Sequence, residues 1–128
     1  MKNDKKILII EPDGVVGLDL KLELEKEDFS IYNPNSITDA EFIISNDKPD
    51  LIIANIDIKK ETFFEKIKIQ LKKIQLPFIW IGTLTKSEVA IESEGLNVIG
   101  SFSKPFHSKS VVALIINYFN KIKSLIHL

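Results

Sequence analysis

The sequence has 128 residues, 45% of them hydrophobic, which is enough for one domain that buries its own core. It has no cysteine, so disulfides, thiolate catalysis and thiolate metal sites are excluded. The formal net charge is −1, and all 17 basic residues are lysines. Without arginine the sequence lacks the planar fork that most often reads guanine edges and grips phosphates, so we do not expect nucleic-acid binding.

The amino-terminal segment predicts neither secretion nor a membrane anchor. Lys5 and Lys6 precede an apolar run of only four residues, 7–10, which ends at Glu11. This run is too short for a signal peptide or a membrane span. We therefore expect a single cytoplasmic domain over residues 1–128 that does not associate with membranes.

Apolar runs predict β-strands at residues 7–10, 29–32, 51–56, 78–81 and 98–102. Three of these runs are almost wholly apolar and β-branched, and none shows the polar alternation of a half-exposed sheet. Such runs are typical of strands that are covered on both faces of a parallel sheet.

Helix signals lie between the runs. Residues 16–24 place leucines at every second position, as a strand would, but Leu, Lys and Glu are strong helix formers and the flanking strands need a crossover. We therefore predict a first helix there, and Ser36 is a typical N-cap for a second. One buried face of a third helix is predicted from the spacing of Phe63, Ile67, Leu71 and Ile74.

Two further helices complete the pattern. Thr85 and Glu88 have the spacing of a capping box, which predicts a short fourth helix that stops at Gly95. The last helix, over residues 108–125, is apolar over most of its circumference. The order of elements is thus (βα)₅, an α/β fold in which a five-stranded parallel sheet carries helices on both faces.

Polar side chains follow the strands where a functional cleft is expected, at the carboxyl ends of a doubly wound sheet. They are Glu11, Pro12 and Asp13 after the first strand, Asn55 and Asp57 after the third, Gly82 and Thr83 after the fourth, and Ser103, Lys104 and Pro105 after the fifth.

Three of these segments carry a resemblance to a known family. They are Ile-Leu-Ile-Ile-Glu at the first strand, Lys-Pro-Asp-Leu-Ile-Ile-Ala-Asn through the third, and Lys-Pro-Phe after the fifth. From Lys5 to about Leu125 the chain resembles a response-regulator receiver domain of two-component phosphorelay signalling. The resemblance implies a flavodoxin-like fold with strand order 2-1-3-4-5, and it places Asn55 at the position of the phosphoacceptor aspartate.

The same resemblance implies a degenerate phosphorylation site. An amide is a much weaker nucleophile than a carboxylate, so Asn55 is not expected to accept phosphate. The family's acid pair that holds Mg²⁺ corresponds to Glu11 and Pro12, and proline offers no side-chain oxygen. Asp13 could compensate only if the turn shifted by one residue. We expect no metal, no cofactor and no enzymatic activity.

Two switch positions also depart from the family's pattern. The hydroxyl residue of strand four corresponds to Gly82 and the aromatic residue of strand five to Ser101, while Thr83 and Phe102 lie one residue away on the opposite sides of their strands. We therefore interpret the chain as a pseudo-receiver. Without phosphate, Lys104 is expected to pair with Glu11 or to hydrogen-bond Asn55.

Other interpretations stay open. If the third strand continued, Asp57 would point to the same side as Asn55 and could act as a substitute acceptor in an active receiver, with Mg²⁺ held by Glu11 and Asp13. By resemblance, the Lys104–Pro105 bond would be cis. A flavin or dinucleotide binder is disfavoured because no glycine-rich loop follows the first strand. His107 and His127 lack metal-like spacing, and we expect both at the surface.

The surplus of apolar residues on the last helix predicts an interaction surface, unless the fourth helix and the tail cover it. By resemblance, receivers dimerise or meet partners on the face of helix four, strand five and helix five. We expect contacts there with a histidine kinase, another signalling protein or a second copy of the chain. The candidate residues of this face are Ser101, Phe102, Leu114, Tyr118 and Leu125.

Overall fold

The computed structural model describes residues 4–126, and over this range strands and helices alternate along the chain. The strands are β1 (Lys6–Ile10), β2 (Ser30–Tyr32), β3 (Leu51–Asn55), β4 (Pro77–Gly82) and β5 (Asn97–Ser103). The α-helices are α1 (Gly14–Glu25), α2 (Ile37–Asn46), α3 (Phe64–Ile74), α4 (Lys86–Glu92) and α5 (Ser108–Ile126). A short 3₁₀ helix, η1 (Ile56–Lys60), joins β3 to α3.

The strands form one parallel sheet in the order β2-β1-β3-β4-β5, which confirms the predicted fold. Every residue of β3 and β4 is buried, as their uninterrupted apolar runs predicted. The edge strands β2 and β5 contain no buried residue. Because all the strands are parallel, the carboxyl ends of β1, β3, β4 and β5 lie at one edge of the sheet, and the predicted cleft residues follow them.

Helices cover both faces of the sheet. On one face, α2 and α3 pack against Trp80 of β4 through Ala40, Ile44, Phe64, Ile67 and Leu71. On the other face, α1 contributes Leu20 and Leu24, and α5 contributes Val111, Val112 and Ile115. Burial of these side chains, at about 25 cal/mol per Å² of apolar surface, is the main stabilising contribution to the fold.

Side-chain caps begin three of the helices. The Asp13 carboxylate accepts hydrogen bonds from the first turn of α1, which confirms that the alternating leucine segment is helical. Ser36 caps α2 and Thr85 caps α4, both as predicted. The short α4 ends before Gly95, which has a φ of +79°.

The prediction for the buried face of α3 was partly wrong. Ile67 and Leu71 are buried as expected, but Phe63 is 37% exposed and Ile74 is 54% exposed. Phe64 is fully buried instead, because α3 begins at Phe64 and Phe63 lies outside it as the N-cap residue. The buried face is therefore Phe64, Ile67 and Leu71.

Candidate functional site

Glu11 and Lys104 form an ion pair at the carboxyl edge of the sheet. The Glu11 side chain has no solvent exposure, and its Oε1 accepts a hydrogen bond from the Lys104 ammonium group. Its second oxygen, Oε2, is buried without a hydrogen-bond partner. The predicted pairing of Lys104 with Glu11 is confirmed, and it neutralises a carboxylate that would be costly to bury alone.

The backbone after β5 aims Lys104 towards this carboxylate. The Lys104–Pro105 bond is cis, as the resemblance implied. The Lys104 backbone N–H donates to the carbonyl oxygen of Gly82 at 2.9 Å, which ties the loop after β5 to the end of β4. The Lys104 side chain is one-quarter exposed, so its ammonium group lies at the rim of the cleft and not deep within it.

Asn55 is the last residue of β3 and is 5% exposed. Its side-chain Oδ1 accepts a hydrogen bond from the backbone N–H of Asp57 at 2.8 Å, so Asn55 serves as the N-cap of η1. Gly82 lies beside it with a φ of +124°, and a Cβ atom built on Gly82 would stand 3.1 Å from Asn55 Oδ1. The Asn55 amide group is thus hydrogen-bonded to the backbone of Asp57 and packed closely beside Gly82.

Strand β3 ends at Asn55, and Asp57 lies within the 3₁₀ helix η1. The alternation of side chains along a strand therefore does not place Asp57 on the same side of the sheet as Asn55. Its side chain is 64% exposed and lies 3.7 Å from the Lys60 ammonium group. The condition under which Asp57 was predicted to replace the acceptor, a longer strand, is therefore not met.

The Mg²⁺ ion that the resemblance implies does not fit these side chains. Pro12 has no side-chain oxygen, and the Asp13 carboxylate accepts from the N–H groups of Val15 and Val16 at 3.0 and 3.3 Å, so it is committed to the α1 N-terminus. Glu11 Oε1 is occupied by Lys104. Within residues 4–126, no group of three or more His, Cys, Asp and Glu side chains is arranged to hold a metal ion.

A cavity of about 420 Å³ opens at the same edge, between the loops that follow β1, β2 and β3. Glu11, Pro12 and Asp57 line it, as predicted cleft residues, and Glu61 adds a third carboxylate. The loop after β2 supplies Asn33, Asn35 and Ser36, which were not predicted as cleft residues because the short second strand gave only a weak signal. Thr83 is exposed at the end of β4 and does not line this cavity.

No protein-family model matches the chain. Its sequence is similar to the cell cycle response regulator CtrA of Brucella ovis, with 21% identity over 111 residues, which cover 86% of this chain and 48% of that protein. The Brucella abortus protein of the same name matches to the same extent. The chain thus spans about half the length of the curated relatives it matches.

Solved structures of receiver proteins share the fold. A two-component response regulator from Clostridium difficile aligns with a TM-score of 0.80 and 20% identity, over 93% of this chain and 98% of that one. The HemR receiver domain of Leptospira biflexa, which was solved without phosphorylation, aligns with a TM-score of 0.75 and 23% identity over 89% and 93%. By fold and by sequence similarity, this chain resembles response-regulator receiver domains. No helix within residues 4–126 of this chain has the length and apolarity needed to cross a membrane.

The interaction face predicted for this chain is only partly exposed. Ser101 is exposed, but Phe102 is half-buried beside Phe106, and their ring centroids are 6.2 Å apart. Leu114 is half-buried against Gly100, where a Cβ atom would stand 2.5 Å from Leu114 Cδ2.

Towards the end of α5 the same face becomes more open. Tyr118 is half-buried against Phe119, with ring centroids 5.5 Å apart, while Leu125 is 68% exposed. On α4, Ile91 is also 68% exposed, so α4 does not cover all of its apolar surface. The surplus of apolar residues on α5 is therefore divided between the core and solvent. His107 is exposed as predicted, and His127 lies outside the described residues.

A second apolar surface was not predicted. On α1, Val15 is 79% exposed, Leu18 is 51% exposed and Leu22 is 50% exposed, and their spacing of three and four places them on one side of the helix. Leu20 and Leu24 of the same helix are fully buried. The alternating leucines thus supply two opposite faces, and only tertiary packing distinguishes the covered one.

Proposed function

We propose that this chain is a receiver domain that acts without phosphorylation, as a protein-interaction module in two-component signalling. The observation that carries the proposal is Asn55 at the acceptor position, with its Oδ1 already accepting the Asp57 N–H at 2.8 Å. A neutral amide oxygen is a poor nucleophile and forms no stable counterpart of an acyl phosphate. The role of Asn55 is then to hold the backbone after β3.

The surrounding residues support a cleft that is fixed in one state. Lys104, which the family uses to hold the phosphoryl group, is bonded to Glu11. Gly82 provides no hydroxyl group and Ser101 no aromatic ring, so the two side chains that report phosphorylation in the family have no counterpart at their positions. The misfit of Mg²⁺ at Pro12 and Asp13 supports a domain without a cofactor and without autophosphorylation.

The exposed apolar side chains of the domain indicate where partners would bind. The exposed apolar side chains of α4 and α5, among them Ile91 and Leu125, suit contacts with a histidine kinase, another signalling protein or a second copy of the chain. A cytoplasmic location belongs to this proposal. The proposal does not include nucleic-acid binding, because the chain lacks arginine. It does not include insertion into a membrane, because neither the sequence nor the described helices contain a candidate span.

An active receiver is the second candidate, and one observation favours it: the Asp57 carboxylate is exposed and lines the same cavity as Glu11. Incubation with acetyl phosphate and Mg²⁺, followed by intact-mass measurement, distinguishes the two. The proposed module gives no phosphoryl adduct at any concentration of divalent cation. Any stoichiometric phosphoryl adduct would refute the proposal, and its loss in Asp57→Ala would establish Asp57 as the acceptor.

A further inference from the structure

Helix α4 is weakly anchored by apolar contacts. None of its seven residues is buried, whereas each of the other four helices buries two or more residues. Only Val89, with Leu84 and Leu96 in the flanking loops, packs against the core, and all three are partly exposed. A segment with so little buried apolar surface opens more easily than the rest of the fold.

Two ion pairs attach α4 to its neighbours. Glu88 accepts a hydrogen bond from the ammonium group of Lys59 in η1, and Glu92 accepts one from that of Lys68 in α3 at 3.1 Å. The side chains of Lys68 and Glu92 are 18% and 17% exposed, so this pair is largely shielded from water. The Lys59 hydrogen bond lowers the pKa of Glu88, and Glu88 in turn raises the pKa of Lys59.

The segment that supplies Lys59 begins at the candidate site. Asn55 caps η1 through the Asp57 N–H, and Asp57 lies near Lys60 within the same turn. The hydrogen bond from Asn55 and the ion pair from Lys59 therefore act on one five-residue segment, at its first turn and near its end. The segment thus contacts both the mouth of the cleft and α4, and neither contact needs a hydroxyl group at Gly82 or an aromatic ring at Ser101.

We propose that the ion pairs Lys59–Glu88 and Lys68–Glu92 form an electrostatic clamp that holds α4 on the domain and couples its position to η1. Loss of these pairs releases α4 from the core residues against which Val89 packs. The proposal goes beyond phosphorylation-independent contacts and does not depend on the identity of the partner.

Hydrogen exchange of the full chain, followed by mass spectrometry, tests the clamp. Raising the salt concentration from about 0.1 M to about 1 M shortens the screening length from about 10 Å to about 3 Å. The amides of residues 89–93 are expected to exchange faster at high salt, while those of β3 and β4 are unchanged. Exchange in α4 that responds neither to salt nor to removal of either lysine charge would refute the proposal, because the shielded Lys68–Glu92 pair is screened less than the more exposed Lys59–Glu88 pair.

Single substitutions identify the pairs. Lys68→Met keeps an apolar side chain of similar length and removes the charge, together with the contact of the ammonium group over the Phe64 ring at 5.2 Å, and we expect exchange in α4 to rise about two- to fivefold. Lys59→Met is expected to act in the same direction. Lys73→Met, also on α3 but exposed and absent from the clamp, is the matched control. The charge reversal Lys68→Glu with Glu92→Lys restores protection if charge is responsible, and equal acceleration in the control refutes the assignment.

The coupling to the cleft has its own comparison. Asn55→Ala removes the cap of η1, and Ser36→Ala removes a cap of the same kind from α2, where Ser36 accepts from Asp39 at 3.1 Å. We expect faster exchange in α4 only for Asn55→Ala. If both variants or neither accelerate α4, the link through η1 is wrong. Fluorescence of Trp80, the only tryptophan, gives a second readout because its Nε1 donates to Ser93 directly after α4 at 3.2 Å.

Discussion

Replacing Gly82 by alanine places a methyl group against the buried side chain of Asn55. The φ of +124° is a conformation that non-glycine residues rarely adopt, and forcing one into it costs about 1–3 kcal/mol. The new Cβ would stand 3.1 Å from Asn55 Oδ1, so the amide would have to move. Its movement weakens the hydrogen bond to Asp57, which is worth about 1 kcal/mol. The expected loss is therefore about 2–4 kcal/mol in the free energy of unfolding.

Urea denaturation measured by Trp80 fluorescence provides this free energy. The matched control is Gly14→Ala at the start of α1, where a Cβ would meet no atom within 4 Å and where alanine is expected to stabilise by about 0.4–1 kcal/mol. Combining Gly82→Ala with Asn55→Ala should recover the part of the loss that comes from the close contact. A loss below about 0.5 kcal/mol for Gly82→Ala alone would contradict the strained geometry.

Three other measurements test the structure. Lys104→Met leaves the Glu11 carboxylate buried without a cation and should cost about 3 kcal/mol in the free energy of unfolding. If the double variant with Glu11→Gln loses as much stability, the unpaired carboxylate is not the cause of the loss. Leu125→Lys should lower the mass measured by light scattering without changing the melting temperature, and an unchanged mass would exclude Leu125 from a dimer interface. The hydrogen bond from Lys59 lowers the pKa of Glu88 from 4.5. The ionised Glu88 side chain therefore contributes fully to stability above about pH 4.5, and this contribution is lost as the pH falls through the lowered pKa. Trp80 fluorescence that stays constant through this acid range would contradict the prediction.

Residue identity alone determined the strands and the chemistry of the acceptor position. A strand covered on both faces must be apolar throughout, so β3 and β4 could be recognised without knowledge of their neighbours. An amide remains a poor nucleophile in any environment, so Asn55 could be interpreted from its alignment with the family's pattern. The parallel sheet brings the ends of β1, β3 and β5 to one edge, so the sequence left Glu11 and Asn55 as expected partners of Lys104, and the structure selects Glu11.

Tertiary packing decided what periodicity leaves open. The leucines of α1 offer two equivalent apolar faces, and only contact with the sheet showed that Leu20 is covered while Leu18 is exposed. The turn after β3 removed Asp57 from the line of the strand, because the Asn55 side chain begins a 3₁₀ helix at that point. The Lys59–Glu88 pair joins residues 29 positions apart. Charges so distant in sequence meet only when backbone and core place their helices side by side, so no local pattern could specify the attachment of α4.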